Sequence, residues 1–478
     1  MTLRNNLHRA LTGCVLLLAT ACVPTVVPKK ERTTTPDQYA TGVRDSVNSA
    51  KLNWKEFFTD TNLTALIDSA LRNNQEYNIV TQEIEIARNE VKARKGEYLP
   101  FLSIGAGAGV DKVGKYTRNG AVEENLEIAP ERAFPEPLPD LMLAANVSWE
   151  ADIWRKLRNA KKAAAHRYLA SVEGRNFMVT HLVAEIASSY YELMALDNQL
   201  IILRRNIEIQ TSALEIVRLE KQAAKVTELA VRRFEAEVLK NRSTQFDIQQ
   251  RIVETENRIN FLVGRYPQPV QRTAQDFALL VPPVIQAGIP SQLLQNRPDI
   301  RRAEQELEAS KLDVKSARAN FYPNLRITAG VGYNAFNTQF FFKSPASLIY
   351  SAAGELIAPV INRNAIKAYY NSANARQVQS VYNYERSILN AYVEVANQMS
   401  NISNLQQSYT LRQQQVEALT ESINISTGLF KSARADYMEV LLTQRDALES
   451  RFELVETRMR QMNAVINIYQ SLGGGWSR

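Results

Sequence analysis

The chain has 478 residues, of which 45% are hydrophobic and 22% charged, a composition that excludes a disordered or collagen-like protein. The mean hydropathy of −0.28 argues against a bundle of membrane helices. The formal net charge of +7 is mild for this length, and without a basic block nothing indicates a nucleic-acid partner.

Residues 1–21 have the pattern of a signal peptide. Arg4 and Arg9 precede a short apolar run that ends in the segment LATAC at residues 18–22. The run is too short to cross a bilayer but suits a signal sequence. Because LATAC resembles the lipobox read by the bacterial lipoprotein peptidase, we expect N-acyl and S-diacylglycerol groups on Cys22. The alternative is a plain secretory signal cleaved nearby. With Cys22 acylated, no second cysteine remains for a disulfide.

An internal repeat organises the rest of the chain. Residues 73–110 align without a gap to residues 296–333, with 11 identities in 38 positions. This match indicates a tandem duplication. The predicted organisation is a signal peptide at 1–21, a lipidated N-terminal segment at 22–72, a first repeat at 73–263, a linker at 264–295, a second repeat at 296–472 and a tail at 473–478.

Each repeat predicts a helix, two strands and a pair of long helices. After Pro100 and Pro323, apolar residues alternate with polar or small ones, the period of a strand with one apolar face. The strands are expected at about 99–116, 140–153, 322–338 and 346–361. The acidic, Pro-rich segment 117–138 reads as a surface loop.

A soluble sheet has the same alternation, but two features favour a membrane barrel. The strands have the length that a tilted membrane strand needs, and aromatic residues crowd their ends as in a barrel girdle. The aromatic residues are Tyr98, Phe101, Trp149, Trp154, Phe321, Tyr322, Phe336, Phe340, Phe341, Phe342 and Tyr350. Four strands cannot close a barrel in lipid, because open edges leave backbone groups unpaired. The barrel must then be shared, and three chains would give twelve strands.

The long helices carry coiled-coil seams. Apolar residues recur at alternating spacings of four and three from Leu182 to Val217 and again from Leu448 to Tyr469. A helix from about residue 155 to 223 would be about 100 Å long. An ordinary helical bundle, or a non-conducting periplasmic scaffold, would show the same seams.

Four segments, in chain order, carry a family resemblance. They are NWKEFFTD at 53–60, VSWEADIWR at 147–155, GIPSQLLQNRPDI at 288–300 and ARANFYP at 317–323. Together with the duplication they resemble the TolC-type outer-membrane factors, in the lipoprotein branch that serves tripartite efflux systems.

This resemblance implies a mixed membrane α+β fold. Each protomer of a homotrimer would give four strands to one 12-stranded β-barrel in outer-membrane lipid, and its long helices to a periplasmic α-barrel. Residues 22–72 and 264–295 would contribute an equatorial region. The trimer would be a passive duct for drugs or other small molecules delivered by an inner-membrane pump through a periplasmic adaptor. It would be no enzyme and hold no cofactor. A duct for type I protein secretion is the alternative.

The resemblance also places a gate at two helix-turn-helix tips, residues 223–229 and 433–441. The family usually has Gly where this chain has Ala224 and Ala433. Gly tolerates positive φ better than Ala, so the turn geometry is open. The candidates for contact with the adaptor are Ala224, Lys225, Val226, Thr227, Ala433 and Ala435.

Four charged residues of the second tip are the gate candidates. Glu439 stands where the family usually has Asp, and a threefold ring of it would favour cations. Arg434, Asp436 and Arg445 lie close enough in sequence to form pairs that latch a closed state. The alternative is solvated charges of little consequence.

No residue pattern indicates catalysis. His166 and His181 are 15 residues apart on one predicted helix, too far to share a metal ion or to act as an acid–base pair. No nucleotide or hydrolase motif is present.

Overall fold

The computed structural model describes residues 23–25, 28–39, 47–273, 277, 280–432 and 434–476. The expected signal peptide, its acylation site Cys22 and Ala433 lie outside these residues.

Helices and strands alternate along the described chain as two similar blocks. The helices are α1 (Trp54–Phe57), α2 (Thr61–Asn73), α3 (Gln75–Tyr98), α4 (Arg118–Asn125), α5 (Lys156–Gln222), α6 (Glu228–Val263), α7 (Leu293–Asn296), α8 (Pro298–Ala319), α9 (Asn364–Lys431) and α10 (Tyr437–Ser471). The strands are β1 (Phe101–Asp111), β2 (Glu127–Ala129), β3 (Arg132–Ala133), β4 (Leu138–Ala151), β5 (Asn324–Ala335) and β6 (Leu348–Ile357).

The element order confirms the tandem duplication. The succession α3, β1, β4, α5, α6 in the first block returns as α8, β5, β6, α9, α10 in the second. Strands β1, β5 and β6 are shorter than the sequence predicts, whereas β4 has the predicted length but begins two residues earlier, at Leu138. The segment 117–138, predicted to be a loop, also contains α4 and a β2–β3 hairpin.

One antiparallel sheet of four strands has the order β1-β4-β5-β6. The two strands of the first repeat thus lie beside the two of the second, with β4 and β5 at the centre. The register pairs Leu102 with Val147, Val147 with Ala329, and Ala329 with Ala352, so residues in such a row project from the same face.

The chain divides into two compact units, and each unit takes segments from both repeats. The first consists of Glu85–Leu169 and Gln305–Val381, with the described residues up to Lys30. It contains the sheet. The second consists of Glu31–Ile84, Ala170–Glu304 and Tyr382–Arg478.

The first unit has a small apolar cluster beside its sheet. Phe321, three residues before β5, packs with Val314 of α8 and Tyr370 of α9. The turn from β4 into α5 is set by the buried carboxylate of Asp152, which accepts hydrogen bonds from the backbone N–H groups of Leu157 and Arg158 at 3.0 and 2.9 Å. These bonds satisfy N–H groups of the first helical turn that have no intrahelical partner.

The second unit is held by a helical core. Side chains of α1, α2, α5, α6 and α10 form it, among them Phe57, Ile67, Tyr190, Ile259 and Tyr469. The Tyr190 hydroxyl donates to the Asp60 carboxylate at 2.9 Å, which satisfies a buried polar group within this core.

The long helices run without interruption, as the absence of internal proline allows. Helix α5 has 67 residues and α9 has 68, so each is about 100 Å long. Helix α6 ends at Gly264, whose φ of 77° is left-handed. A Cβ atom there would lie 2.4 Å from the carbonyl oxygen of Asn73, so this end requires glycine.

Candidate conduit and gate

One face of the four-stranded sheet is apolar. Its rows include Leu102, Val147, Ala329 and Ala352, and next to it Ile104, Ala145, Val331 and Tyr350. Of the second row, Ile104 is 74% exposed, Val331 53% and Tyr350 83%. The alternation predicted from the sequence is therefore real, and the described chain leaves this apolar face uncovered.

The opposite face is lined by small and polar residues. One row consists of Ser103, Asn146, Gly330 and Ser351, and another crosses Glu150, Arg326 and Glu355. Small side chains are required in places: a Cβ atom on Gly332 would lie 2.3 Å from the Leu143 carbonyl oxygen. This face suits contact with water and leaves room in front of the sheet.

Both edges of the sheet are open among the described residues. Strands β1 and β6 each have one neighbouring strand, so the outward N–H and C=O groups of both edges have no strand partner within the described chain. Such edges are templates for pairing with another chain.

Aromatic residues lie at both ends of the strands. At the helix end, Trp154 stacks on Tyr322 with ring centroids 4.5 Å apart, and its indole N–H donates to the Pro323 carbonyl at 2.8 Å. At the loop end, the rings of Phe336 and Phe340 are 5.2 Å apart. This arrangement agrees with two interfacial belts on either side of an apolar band.

The first tip joins α5 to α6 through a left-handed alanine. Ala224 has a φ of 56°. Its N–H donates to the Lys221 carbonyl, and the Lys225 N–H donates to the Glu220 carbonyl, both at 2.9 Å. These two bonds define a Schellman motif, which usually has glycine at this place. Ala224 thus adopts the left-handed conformation that glycine usually has in this motif.

The remaining candidates of the first tip surround this turn. Val226 packs on the apolar cluster between α5 and α6. Thr227 is the N-cap of α6 but makes no side-chain cap bond. Ion pairs close the hairpin: Lys221 contacts Glu228 at 2.6 Å. The Lys221 ammonium lowers the pKa of the Glu228 carboxyl below its usual value by hydrogen bonding and charge.

The second tip shares one backbone hydrogen bond with the first and carries different charges. The Arg434 N–H donates to the Leu429 carbonyl at 2.9 Å, the bond that Lys225 makes in the first tip. Asp436 is the N-cap of α10 without a side-chain cap bond, and Glu439 lies exposed in the first turn. Ala435, the last adaptor candidate, is half-buried.

The pairs expected among Arg434, Asp436 and Arg445 do not form within the described chain. Arg445 instead contacts the neighbouring Asp446 at 3.0 Å. For Asp436 and Arg445 the reason is helical geometry, since nine residues of helix place Arg445 about 14 Å along the axis from Asp436. No ion pair of the described residues involves Arg434, Asp436 or Glu439. Their role in a gate stays a prediction.

The segment after Cys22 lies against the first unit. Val23 packs on the cluster that contains Phe321 and Tyr370. The buried amide of Gln377 accepts from the Lys29 N–H at 3.3 Å and donates to the Lys29 carbonyl at 3.1 Å. Residue 23 is thereby held beside the helix end of the strands.

The described residues give little support for a metal site, a histidine pair or a membrane-spanning helix. No group of three or more His, Cys, Asp or Glu side chains there is arranged to hold a metal ion. The His166 ring is hydrogen-bonded to the side-chain amide of Gln305, and the His181 ring to that of Gln470. The two histidines therefore bond to different amides and not to each other. None of the described helices has an apolar stretch long enough to span a bilayer.

Residues 66–265 and 289–474 match the outer membrane efflux protein family. The chain belongs to this family, since the match covers most of its length. Membership confirms the expectation from the sequence of an outer-membrane efflux protein, located in the outer membrane.

Named relatives and solved structures agree over nearly the whole chain. The cation efflux system protein CusC of Escherichia coli K12 is 26% identical over 98% of this chain and 99% of its own. The pyoverdine export outer membrane protein OpmQ of Pseudomonas aeruginosa is 26% identical over 98% and 96%. The solved open state of the MtrE outer membrane channel of Neisseria gonorrhoeae has a TM-score of 0.84, 22% identity and coverage of 96% and 99%. A CusC structure has a TM-score of 0.81, 23% identity and coverage of 95% and 100%. These likenesses confirm the mixed α+β fold.

The sequence gives no functional role to two residues that hold these elements in place. Asp152 and Gln377 act through backbone groups that only the folded chain brings to them. The one sequence signal for Asp152 is its place between a strand pattern and a helix pattern, where an N-cap belongs. Nothing in the sequence points to Gln377.

Proposed function

We propose that three copies of this chain form one passive exit duct through the outer membrane, as the outermost part of a tripartite efflux pump. The observation that carries this proposal is the four-stranded sheet with one exposed apolar face, one small and polar face, and two open edges. In lipid every backbone polar group needs a partner, so β1 of one copy pairs with β6 of the next until the barrel closes.

Three is the smallest number of copies that leaves the room a conduit needs. Two copies would give eight strands, whose interior is just wide enough to be filled by side chains. Three copies give twelve strands and a wider lumen. The small residues of the polar face, such as Gly330 and Gly332, then line an aqueous passage while Val331 and Tyr350 face lipid.

The helices supply a second surface that another copy would cover. On α6, the apolar side chains Leu239, Phe246 and Val253 are 59%, 69% and 48% exposed and recur every seven residues. A heptad repeat of this kind is a coiled-coil seam without its partner. In the trimer, helices of neighbouring copies pack on it and wall the periplasmic part of the duct.

The duct does no work of its own. An inner-membrane pump supplies the energy, and a periplasmic adaptor joins pump and duct at the tips around Lys225, Val226 and Ala435. The chain accordingly catalyses no reaction and uses no cofactor. Glu439 from three copies forms an acidic ring at the closed end, which admits cations more readily than anions.

A lipid on Cys22 fixes the duct in the membrane. Support comes from Val23, which packs beside Phe321 at the helix end of the strands. Val23, the neighbour of the expected acylation site, thus lies near the level where the apolar band ends. Two or three acyl chains bind a membrane far more firmly than one.

The substances that pass through the proposed duct are small molecules. The relatives' names mention cations, pyoverdine, solvent and toluene, so members of similar length serve chemically unlike cargoes. The duct is then a common outlet, and the pump selects what passes.

The test is conductance of the purified full-length protein in planar bilayers, together with its migration on gels. We expect a heat-modifiable trimer from outer-membrane fractions that conducts ions, with a weaker preference for cations after Glu439→Ala. In cells without their own exit ducts, co-expression with its pump and adaptor should lower the accumulation of a fluorescent dye.

Cys22→Ser serves as the matched control for the anchor. It should remove the acyl mass from the mature chain and weaken membrane retention, with conductance kept once the protein is inserted. A soluble monomer that conducts no ions would overturn the duct.

A further inference from the structure

A polar layer interrupts the apolar packing of α5, α6 and α10. An apolar cluster of these helices lies on each side of the layer, one toward the tip and one away from it. The tip cluster contains Leu214, Val217, Ala230, Val231, Phe234, Val238 and Leu441. The shaft cluster contains Leu196, Leu200, Leu203, Ile207, Ile248 and Leu448.

Gln210, Asn241 and Gln444 lie between the two clusters. Gln210 follows Ile207 by three residues and precedes Leu214 by four. Gln444 stands in the same relation to Leu441 and Leu448, and Asn241 follows Val238 by three. Spacings of three and four keep a residue on one helix face, so the three amides share the buried seam.

The layer is buried but incompletely bonded. Gln210 is 0% exposed, Asn241 4% and Gln444 7%. The Asn241 amide donates to the Gln210 amide oxygen at 2.6 Å. Among the described residues, the Gln210 amide nitrogen and the Gln444 amide oxygen have no hydrogen-bond partner. A buried amide with unmet bonding costs free energy, so α10 is held less tightly here than by either cluster.

We propose that this layer is a pivot, at which the tip of α10 separates from α5 and α6 while the shaft cluster stays packed. On the tip side, α10 is held by Leu441, by the packing of Tyr437, and by Met438, whose sulfur accepts a hydrogen bond from Arg233 at 3.0 Å. The inference rests on the proposed duct, since only a duct that opens at its tips needs a pivot there.

The pivot is tested by replacing the amides with apolar side chains of the same shape. The triple variant Gln210→Met, Asn241→Leu and Gln444→Met fills the layer without a volume change. Gln444→Met alone keeps the Gln210–Asn241 bond and serves if the triple variant does not fold. The exposed Gln414→Met on α9 is the matched control.

Thermal melting of the trimer and single-channel recording are the two measurements. We expect both layer variants to melt higher than the wild type and the triple variant to open about tenfold less often, the effect of a modest added bias toward the closed state. Higher melting with unchanged opening would overturn the pivot. Lower melting or a mixture of assemblies would also overturn it, because the layer would then only specify helix register. A wild type that never conducts would instead refute the duct.

Discussion

Ala224 shows a residue held in a conformation that its side chain disfavours. Its φ of 56° lies in the left-handed region, where a Cβ atom crowds the backbone. We expect Ala224→Gly to stabilise the protein by about 1 kcal/mol, as removal of a left-handed alanine should. Thermal or denaturant unfolding of the solubilised protein measures this.

Ala223→Gly is the control for that change, because the Ala223 N–H still makes a helical bond to the Leu219 carbonyl. Glycine there should destabilise by a similar amount, through its poor helix propensity. Equal loss of stability in both variants would show that the turn does not strain Ala224.

Buried tyrosines make the second unit sensitive to alkali. Burial, with the Asp60 carboxylate nearby, raises the pKa of Tyr191 from 10.0 to about 12. A raised folded-state pKa gives a stability contribution that is complete below the unfolded pKa and is lost as pH rises through the folded one. The temperature of the unfolding midpoint should therefore decrease as the pH rises from 10.0 to about 12.

Tyr191→Phe should flatten that fall, since phenylalanine has no hydroxyl to ionise. Tyr116→Phe, at a fully exposed tyrosine, should follow the wild-type curve. The same slope in all three proteins would mean that ionisation of Tyr191 is not linked to unfolding.

At the scale of the strand, neighbouring alanines of β6 face opposite sides of the sheet. Ala352 pairs with Ala329 in the apolar row, and Ala353 pairs with Thr328 on the polar face. Arginine on the lipid side costs about 2–4 kcal/mol near the bilayer midplane. We expect Ala352→Arg to be lost from outer-membrane fractions, whereas Ala353→Arg should insert and conduct with a shift toward anions.

The two variants control for each other, because they add the same side chain one residue apart on the same edge strand. Their amounts in the outer membrane and their reversal potentials in a salt gradient are the measurements. Equal insertion of both would contradict the assignment of the apolar face to lipid.

The elements differ in how far sequence predicts them. Strand alternation after Pro100 and Pro323 gives the faces of β1 and β5, since a period of two leaves no other choice. Helix α4 was missed because Thr117, which caps it, lies in a short acidic segment without helical periodicity. Gln210 can be recognised in the sequence as a polar residue within the predicted apolar seam. Its hydrogen bond with Asn241 cannot be predicted, because it depends on how α5 and α6 align.

For the whole molecule, the sequence predicts the duplication and the four strands of the larger sheet but not the two compact units. Each unit combines both repeats, so its limits are set by contacts between distant segments such as Ala170–Glu304 and Tyr382–Arg478. The sequence does not determine the conformation of the tip turns, and the structure determines the first of them through the left-handed Ala224.

The number of chains per duct has its own test. Two differently tagged copies expressed together should give four bands on a native gel, as a closed ring of three chains allows four compositions. Mixing during assembly is required, so purified pools combined afterwards are the control. Three bands would mean a dimer.

The two tips of one chain have diverged since the duplication. The first is bridged by Lys221 with Glu228 and by Arg218 with Glu235, at 2.6 and 3.6 Å. Among the described residues, Arg434, Asp436 and Glu439 of the second form no such bridge. In the proposed trimer, the duct would therefore end in six hairpins of two alternating kinds, related by threefold symmetry only. A ring of six identical partner subunits that bound this end would contact two different kinds of hairpin. Because the two kinds differ in charge pairing, binding would occur in two phases of different salt dependence.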